Sequence, residues 1–176
     1  KNLFQAAPVK LSRAALKKSR GRVKAVVANA GCANAVTGAA GEAAAKRVQE
    51  LAAELAGCPR EEVFVASTGV IGVVLPDEKV RTFLPDAFAR LSAGGLEAVS
   101  RAILTTDAAP KVARATFRHG DRTCQVVGFA KGAGMIHPNM ATMLAFVTTD
   151  APATPALLSA ALREAVDGSF NAISVD

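Results

Sequence analysis

The chain has 176 residues, 51% of them hydrophobic, with no tryptophan or tyrosine and a formal net charge of +6. That apolar content excludes a disordered chain, and the length supports a sizeable core, with one domain as the natural expectation. Lysines and arginines are scattered rather than gathered into a stripe with stacking aromatics, which argues against nucleic acid, while a net positive field would attract small carboxylate substrates.

In chain order, the densest basic run, Lys10 to Lys24 with Arg13, Lys17, Lys18, Arg20 and Arg22, reads as a solvated helix face followed by a turn. Residues 23–28, VKAVVA, form a buried strand that enters the polar glycine loop NAGCANAVTG at 29–38. From Gly41 to Ala56, Ala44, Val48, Leu51 and Leu55 recur at helical spacing, and Gly57 provides the stop. A strand at Val63–Ala66 precedes the STGVIG turn, and a helix follows from Asp77 to Leu91, bent near Pro85. Another helix covers Leu96–Leu104.

Residues 113–118 and 123–130 are two strands around the polar turn His119-Gly120-Asp121-Arg122. A glycine-rich loop at 131–140 leads into a strand through Val147, and a helix over about 156–166 shares Leu158, Ala161, Leu162 and Ala165 on one face. The terminal ISV reads as a short strand. The mixture predicts an α/β (mixed α+β) fold of layered mixed sheets flanked by helices.

Cys32, Cys58 and Cys124 lack paired metal-type spacing, so reduced thiols in a cytoplasmic protein are expected, with neither a disulfide framework nor a metal site. No apolar stretch approaches the length of a membrane span, and no signal peptide is visible in a chain that begins at Lys1 without an initiator methionine.

The segment KGAGMIHPNMATMLAF, residues 131–146, carries the most chemical information. A hydroxyl is a weak nucleophile until a base takes its proton, and the α-amine of an N-terminal threonine can be that base. Thr142 follows a small residue and a glycine-rich loop at the start of an apolar strand. This pattern suits a chain that cuts itself between Ala141 and Thr142 and then uses the freed threonine. Read without further context, Ala-Thr before an apolar run is also an ordinary strand sequence.

NAGCANAVTG at 29–38, ASTGVIG at 66–72, ILTTD at 103–107 and the 131–146 segment, in that order and spacing, resemble the glutamate N-acetyltransferase, or ornithine acetyltransferase, family of self-cleaving enzymes of arginine biosynthesis. The resemblance implies acetyl transfer from N-acetylornithine to glutamate through an acetylated Thr142, with no required cofactor and with acetyl-CoA as a second donor in some members. It implies an oxyanion role for Thr68 and Gly69 and substrate binding by Thr105, Lys131 and Thr142. Thr106 competes with Thr105 for its assignment.

It further implies that residues 1–176 are one partial catalytic domain, with N-terminal and C-terminal portions elsewhere, and that two cleaved protomers form a heterotetramer. The family pattern has asparagine where Cys32 stands, a departure in that loop. His137 precedes Pro138 close to Thr142, but the amine mechanism does not require it, so a structural role is expected; His119 is expected at a surface turn. Asn29 and Asn34 are expected to orient a loop or cap a helix. Two other readings are a self-cleaving amidohydrolase or aminopeptidase, in which water resolves the acyl-enzyme, and a non-catalytic basic binding module.

Overall fold

The computed structural model describes residues 3–134, 136 and 143–175. They fall into two compact units, Asn2–Thr105 and Thr106–Asp176. The fold is mixed α/β, with helices against small sheets.

In the first unit the order is α1 (Ala7–Lys18), β1 (Ala25–Cys32), α2 (Gly38–Ala56), β2 (Val63–Val70), α3 (Asp77–Ala89) and α4 (Leu96–Ala102). β1 and β2 pair in parallel from Ala25 opposite Val63 to Gly31 opposite Gly69. A parallel pair cannot be closed by a tight turn, and α2 supplies the crossover. The buried face of α2 is Ala44, Ala45, Val48, Gln49, Ala52 and Ala53, whereas the helical pattern also pointed to Leu51 and Leu55, which are only half-buried. Alanines let the helix backbone approach its neighbours closely, so the larger leucines fall to the flank of the contact.

Gln49 is buried and donates from Nε2 to the Val63 carbonyl at 2.7 Å. Gly57 takes φ 59° and its N–H bonds back to the last turn of α2, ending the helix as its sequence predicts. The α1 helix is anchored by Ser12, whose hydroxyl donates to the Val65 carbonyl at 2.8 Å and accepts from the Val65 N–H at 2.9 Å. One serine thus satisfies both backbone groups of a β2 residue. The core joins Cys32, Ala44, Val48, Val65 and Leu75 to a second group of Ala52, Ala53 and Val63, with Val27 and Leu84 touching both.

The N-terminus of α3 is tied to α2 through Asp77. Arg47 grips its carboxylate at both oxygens, 2.7 and 2.8 Å, and Arg81 adds a bond at 3.1 Å from one turn further along α3. The Arg47 hydrogen bond, reinforced by both guanidinium charges, holds the Asp77 carboxyl below the usual carboxylate range. An acidic residue in the first turn also suits the helix dipole.

In the second unit, β3 (Lys111–His119), β4 (Arg122–Lys131) and β5 (Leu144–Thr149) form an antiparallel meander, followed by α5 (Pro155–Asp167). Gly120, at φ 59°, makes the tight turn between β3 and β4. Phe129 and Phe146 are opposite each other on β4 and β5, with ring centroids 5.0 Å apart. Thr154 caps α5 by accepting from the Leu157 N–H at 3.2 Å. The terminal ISV segment contributes a single bridge, in which Val175 and Ile136 exchange two backbone bonds of 2.7 Å.

The basic run of α1 has partners at its surface: Lys10 pairs with Glu42 at 2.6 Å, Arg13 bonds Gln5 at 2.9 Å and Lys18 lies 3.6 Å from Glu61. The three cysteines are free thiols. Among the described residues no helix is long and apolar enough to cross a membrane, and no cluster of three metal-ligating side chains occurs.

Candidate active site

The first candidate centre lies at the C-terminal ends of β1 and β2. The apolar pattern places Thr68 and Gly69 in a turn after a strand ending at Ala66, but β2 continues to Val70. Pairing with β1 continues after the hydrophobic signal stops: Ala30 faces Thr68, Gly31 faces Gly69, and a bulge at Cys32 brings it opposite both Thr68 and Val70. Beyond the strands, the Ala33 N–H donates to the Val70 carbonyl at 2.9 Å and the Gly72 N–H to Ala35 at 2.9 Å, so the two glycine loops run side by side.

Thr68 is buried, with 8% of its surface exposed. Gly69 has φ +130°, and a Cβ there would collide with the Gly31 carbonyl and the Cys32 nitrogen. Only glycine permits both the backbone angle and this approach. The local result is a buried hydroxyl beside a sharply redirected backbone, which is the kind of group that can stabilise developing negative charge.

Polar side chains hold the adjacent loop. Ser67 donates to Asn29 Oδ1 at 2.6 Å, while Asn29 Nδ2 donates to the Cys32 carbonyl at 2.9 Å. Asn34 is fully buried; it donates to the Gly41 carbonyl at 2.8 Å and its Oδ1 accepts from Thr37 at 2.9 Å and from the Leu75 N–H at 3.3 Å. These bonds hold Asn34 in a left-handed conformation, φ 48°, which asparagine tolerates better than most residues. Asn29 and Asn34 therefore order the loop. Cys32, where the resembled pattern has asparagine, donates its thiol to the Val73 carbonyl at 3.3 Å.

A groove of about 620 Å³ opens in the same unit between β1 and α3, with Val27, Leu75, Val80, Phe83 and Leu84 among its walls and Asn29 and Lys79 among its polar groups. Thr68 and Gly69 are not among its lining residues.

The second candidate centre is in the second unit. Lys131 ends β4 and is buried, at 5% exposure, rather than solvated as a strand-end lysine would ordinarily be. Its Nζ lies 3.6 Å from Oδ2 of Asp107, whose side chain is wholly inaccessible. Asp107 Oδ1 accepts from Lys111 Nζ at 2.7 Å and from the Gly132 N–H at 2.6 Å. Asp107 was available to sequence reasoning as the last residue of ILTTD, yet its importance depends on contacts with residues 111, 131 and 132, which no local spacing displays.

Gly132 takes φ +153°, and a Cβ on it would come within 3.1 Å of both Ile136 and Met143, so the absent side chain gives those residues room. Gly134 has open space where its Cβ would lie, so packing does not require glycine there. Thr105 and Thr106 are both exposed, and exposure does not choose between them. His119 is exposed at the end of β3, in the expected surface turn. Ala141, Thr142 and His137 lie outside the described residues.

The strand ends thus define an α/β chain with two buried polar centres, each built on glycine-dependent backbone. The chain belongs to the ArgJ family, whose pattern matches residues 1–176. It is 51% identical over 175 residues to the arginine biosynthesis bifunctional protein ArgJ of Symbiobacterium thermophilum, a match that covers 99% of this chain and 43% of that protein. The corresponding protein of Methylococcus capsulatus is 49% identical, with 99% of this chain and 42% of the relative covered. The chain therefore spans less than half the length of these curated relatives.

Two solved structures share the fold. The arginine biosynthesis bifunctional protein ArgJ of Bacillus halodurans superposes with a TM-score of 0.71 at 38% identity, covering 80% of this chain and 73% of that one. The ornithine acetyltransferase of Mycobacterium tuberculosis, crystallised in complex with ornithine, gives 0.72 at 36% identity, with 80% and 74% covered.

Proposed function

We propose that the protein carrying this chain transfers an acetyl group from N-acetylornithine to glutamate in arginine biosynthesis, through an acetyl ester on Thr142. The observation that carries the reading is the match to the ArgJ family across residues 1–176, a range that includes the whole 131–146 segment. The ornithine bound to the Mycobacterium tuberculosis relative supports ornithine-type substrates.

In this mechanism Thr142 Oγ first attacks the Ala141 carbonyl, and water hydrolyses the resulting ester, releasing an N-terminal threonine. Its neutral α-amine then takes the Oγ proton as Oγ attacks the acetyl carbonyl of N-acetylornithine. The tetrahedral oxyanion collapses with loss of ornithine, whose departing nitrogen receives the proton. The α-amine of glutamate attacks the acetyl-Thr142 ester, and N-acetylglutamate leaves. Thr68 and the Gly69 N–H serve the oxyanion, Lys131 pairs with a substrate carboxylate, and Thr105 contributes to substrate binding. Acetyl-CoA is a second donor entering at the same acyl-enzyme, no cofactor is required, and two cleaved protomers assemble as a heterotetramer in the cytoplasm.

Incubation of the cleaved protein with N-acetylornithine, with and without glutamate, tests the assignment. The reading predicts N-acetylglutamate and ornithine in equal amounts when glutamate is present. Free acetate at the same rate with or without glutamate would instead identify an amidohydrolase, and absence of either product would leave a binding module.

A further inference from the structure

We propose that Asn29 is a positioning residue that sets the oxyanion element Thr68–Gly69 by tying the Cys32 end of β1 to Ser67 on β2, an inference that rests on the transferase reading above. Asn29 and Ser67 are opposite each other in the parallel pair, one residue before the Ala30–Thr68 pair and two before Gly31–Gly69. Paired residues share one face of a sheet and successive residues alternate, so Asn29 and Ser67 lie on the face away from Thr68. Asn29 therefore acts on Thr68 and Gly69 through the backbone that it holds.

The two ends of its amide hold different strands. A carbonyl only accepts, so the 2.9 Å bond to the Cys32 carbonyl comes from Nδ2, and Oδ1 accepts from the Ser67 hydroxyl at 2.6 Å. The first bond spans the end of β1, where a bulge sets Cys32 opposite both Thr68 and Val70. The second grips β2 at the residue before Thr68. Between these anchors the two backbones meet, since a Cβ on Gly69 would collide with the Gly31 carbonyl and the Cys32 nitrogen. The path of the chain through Thr68 and Gly69 thus depends on where the bulge at Cys32 sits, and Asn29 links that bulge to Ser67. An oxyanion donor works only at hydrogen-bonding distance from the developing charge, and a misplacement of about 1 Å can cost roughly a hundredfold in rate.

The test measures kcat and KM for N-acetylornithine in cleaved Asn29→Ala, Ser67→Ala, Ser67→Thr and the double alanine variant, each assayed well below its thermal unfolding transition. Asn29→Ala should lower kcat by about tenfold or more while KM stays within about twofold. The double variant should be no slower than Asn29→Ala alone, because neighbours in one network are non-additive. Ser67→Thr keeps the hydroxyl on a side chain suited to a strand and should hold kcat near that of the unsubstituted protein. A raised KM with kcat intact would place Asn29 in substrate binding, and kcat losses that multiply would show that Asn29 and Ser67 act separately; either result overturns the proposal.

Should Asn29→Ala fail to fold, Ser67→Ala carries the test, because it removes one hydroxyl at a half-buried position. It should lower kcat several-fold with KM little changed, and threonine at the same position should restore the rate. Normal kcat in Ser67→Ala, or equal losses in Ser67→Ala and Ser67→Thr, would contradict the role of the amide bridge. Failure of the underlying transferase reading looks different: the unsubstituted protein would yield no N-acetylglutamate, or Thr68→Ala would keep normal kcat and leave no oxyanion element to position.

Discussion

Thr68 and Gly69 show how much a single residue type can decide. An oxyanion donor matters most where negative charge develops, so Thr68→Ala should lower kcat by roughly a hundredfold while KM changes much less. The measurement belongs on protein already cleaved, because in the proposed mechanism attack on Ala141 passes through a similar oxyanion, and slow maturation would mimic slow turnover. Normal kcat with a strongly raised KM would make Thr68 a substrate-binding residue instead. Gly69 was readable from sequence as a turn glycine, but the reason for it lies in the Gly31 carbonyl opposite, 38 residues earlier in the chain. Asp107 illustrates the same limit. A lone aspartate after two threonines has no distinctive local signal, and only folding brings the ammonium of Lys131 and the N–H of Gly132 to it.

At the scale of elements, apolar patterning located the helices and strands to within a few residues, although β3 is exposed along its whole length and α5 has no buried residue, its Leu158 and Leu162 lying exposed. It stopped short where burial and pairing part company. The β2 strand extends past Ala66 through STGV because its backbone still pairs with β1, although the apolar pattern has ended. Likewise β5 runs to Thr149, where Thr148 and Thr149 pair with Val127 and Val126 on β4. The packing of α3 on α2 adds an electrostatic link through Asp77, and it has a pH signature. The folded-state pKa lies below the ordinary 3.8, so the folded protein keeps this carboxylate charged more readily than the unfolded chain does. Its contribution is complete above that ordinary value and is lost as pH falls through the lower folded one. Chemical denaturation at a series of pH values should therefore show the unsubstituted protein losing stability in this acidic window more steeply than Asp77→Asn. Parallel pH profiles would show that the Arg47 and Arg81 contacts contribute no differential proton binding.

For the whole molecule, the order and spacing of the four glycine- and threonine-rich segments were legible in the sequence, and the family match runs through all of them. The partition of the described residues into two compact units was not, because no linker composition separates Thr105 from Thr106. The central claim is that Thr142 becomes an N-terminal threonine and carries the acetyl group. Its most direct test is mass spectrometry of the full-length protein, incubated with N-acetylornithine alone and quenched in acid. The account predicts a fragment that begins Thr-Met-Leu-Ala-Phe and bears one acetyl group on Thr142, removed when glutamate is added. An uncut chain that turns over at the full rate, or an acetyl group carried by another residue during turnover, would contradict it.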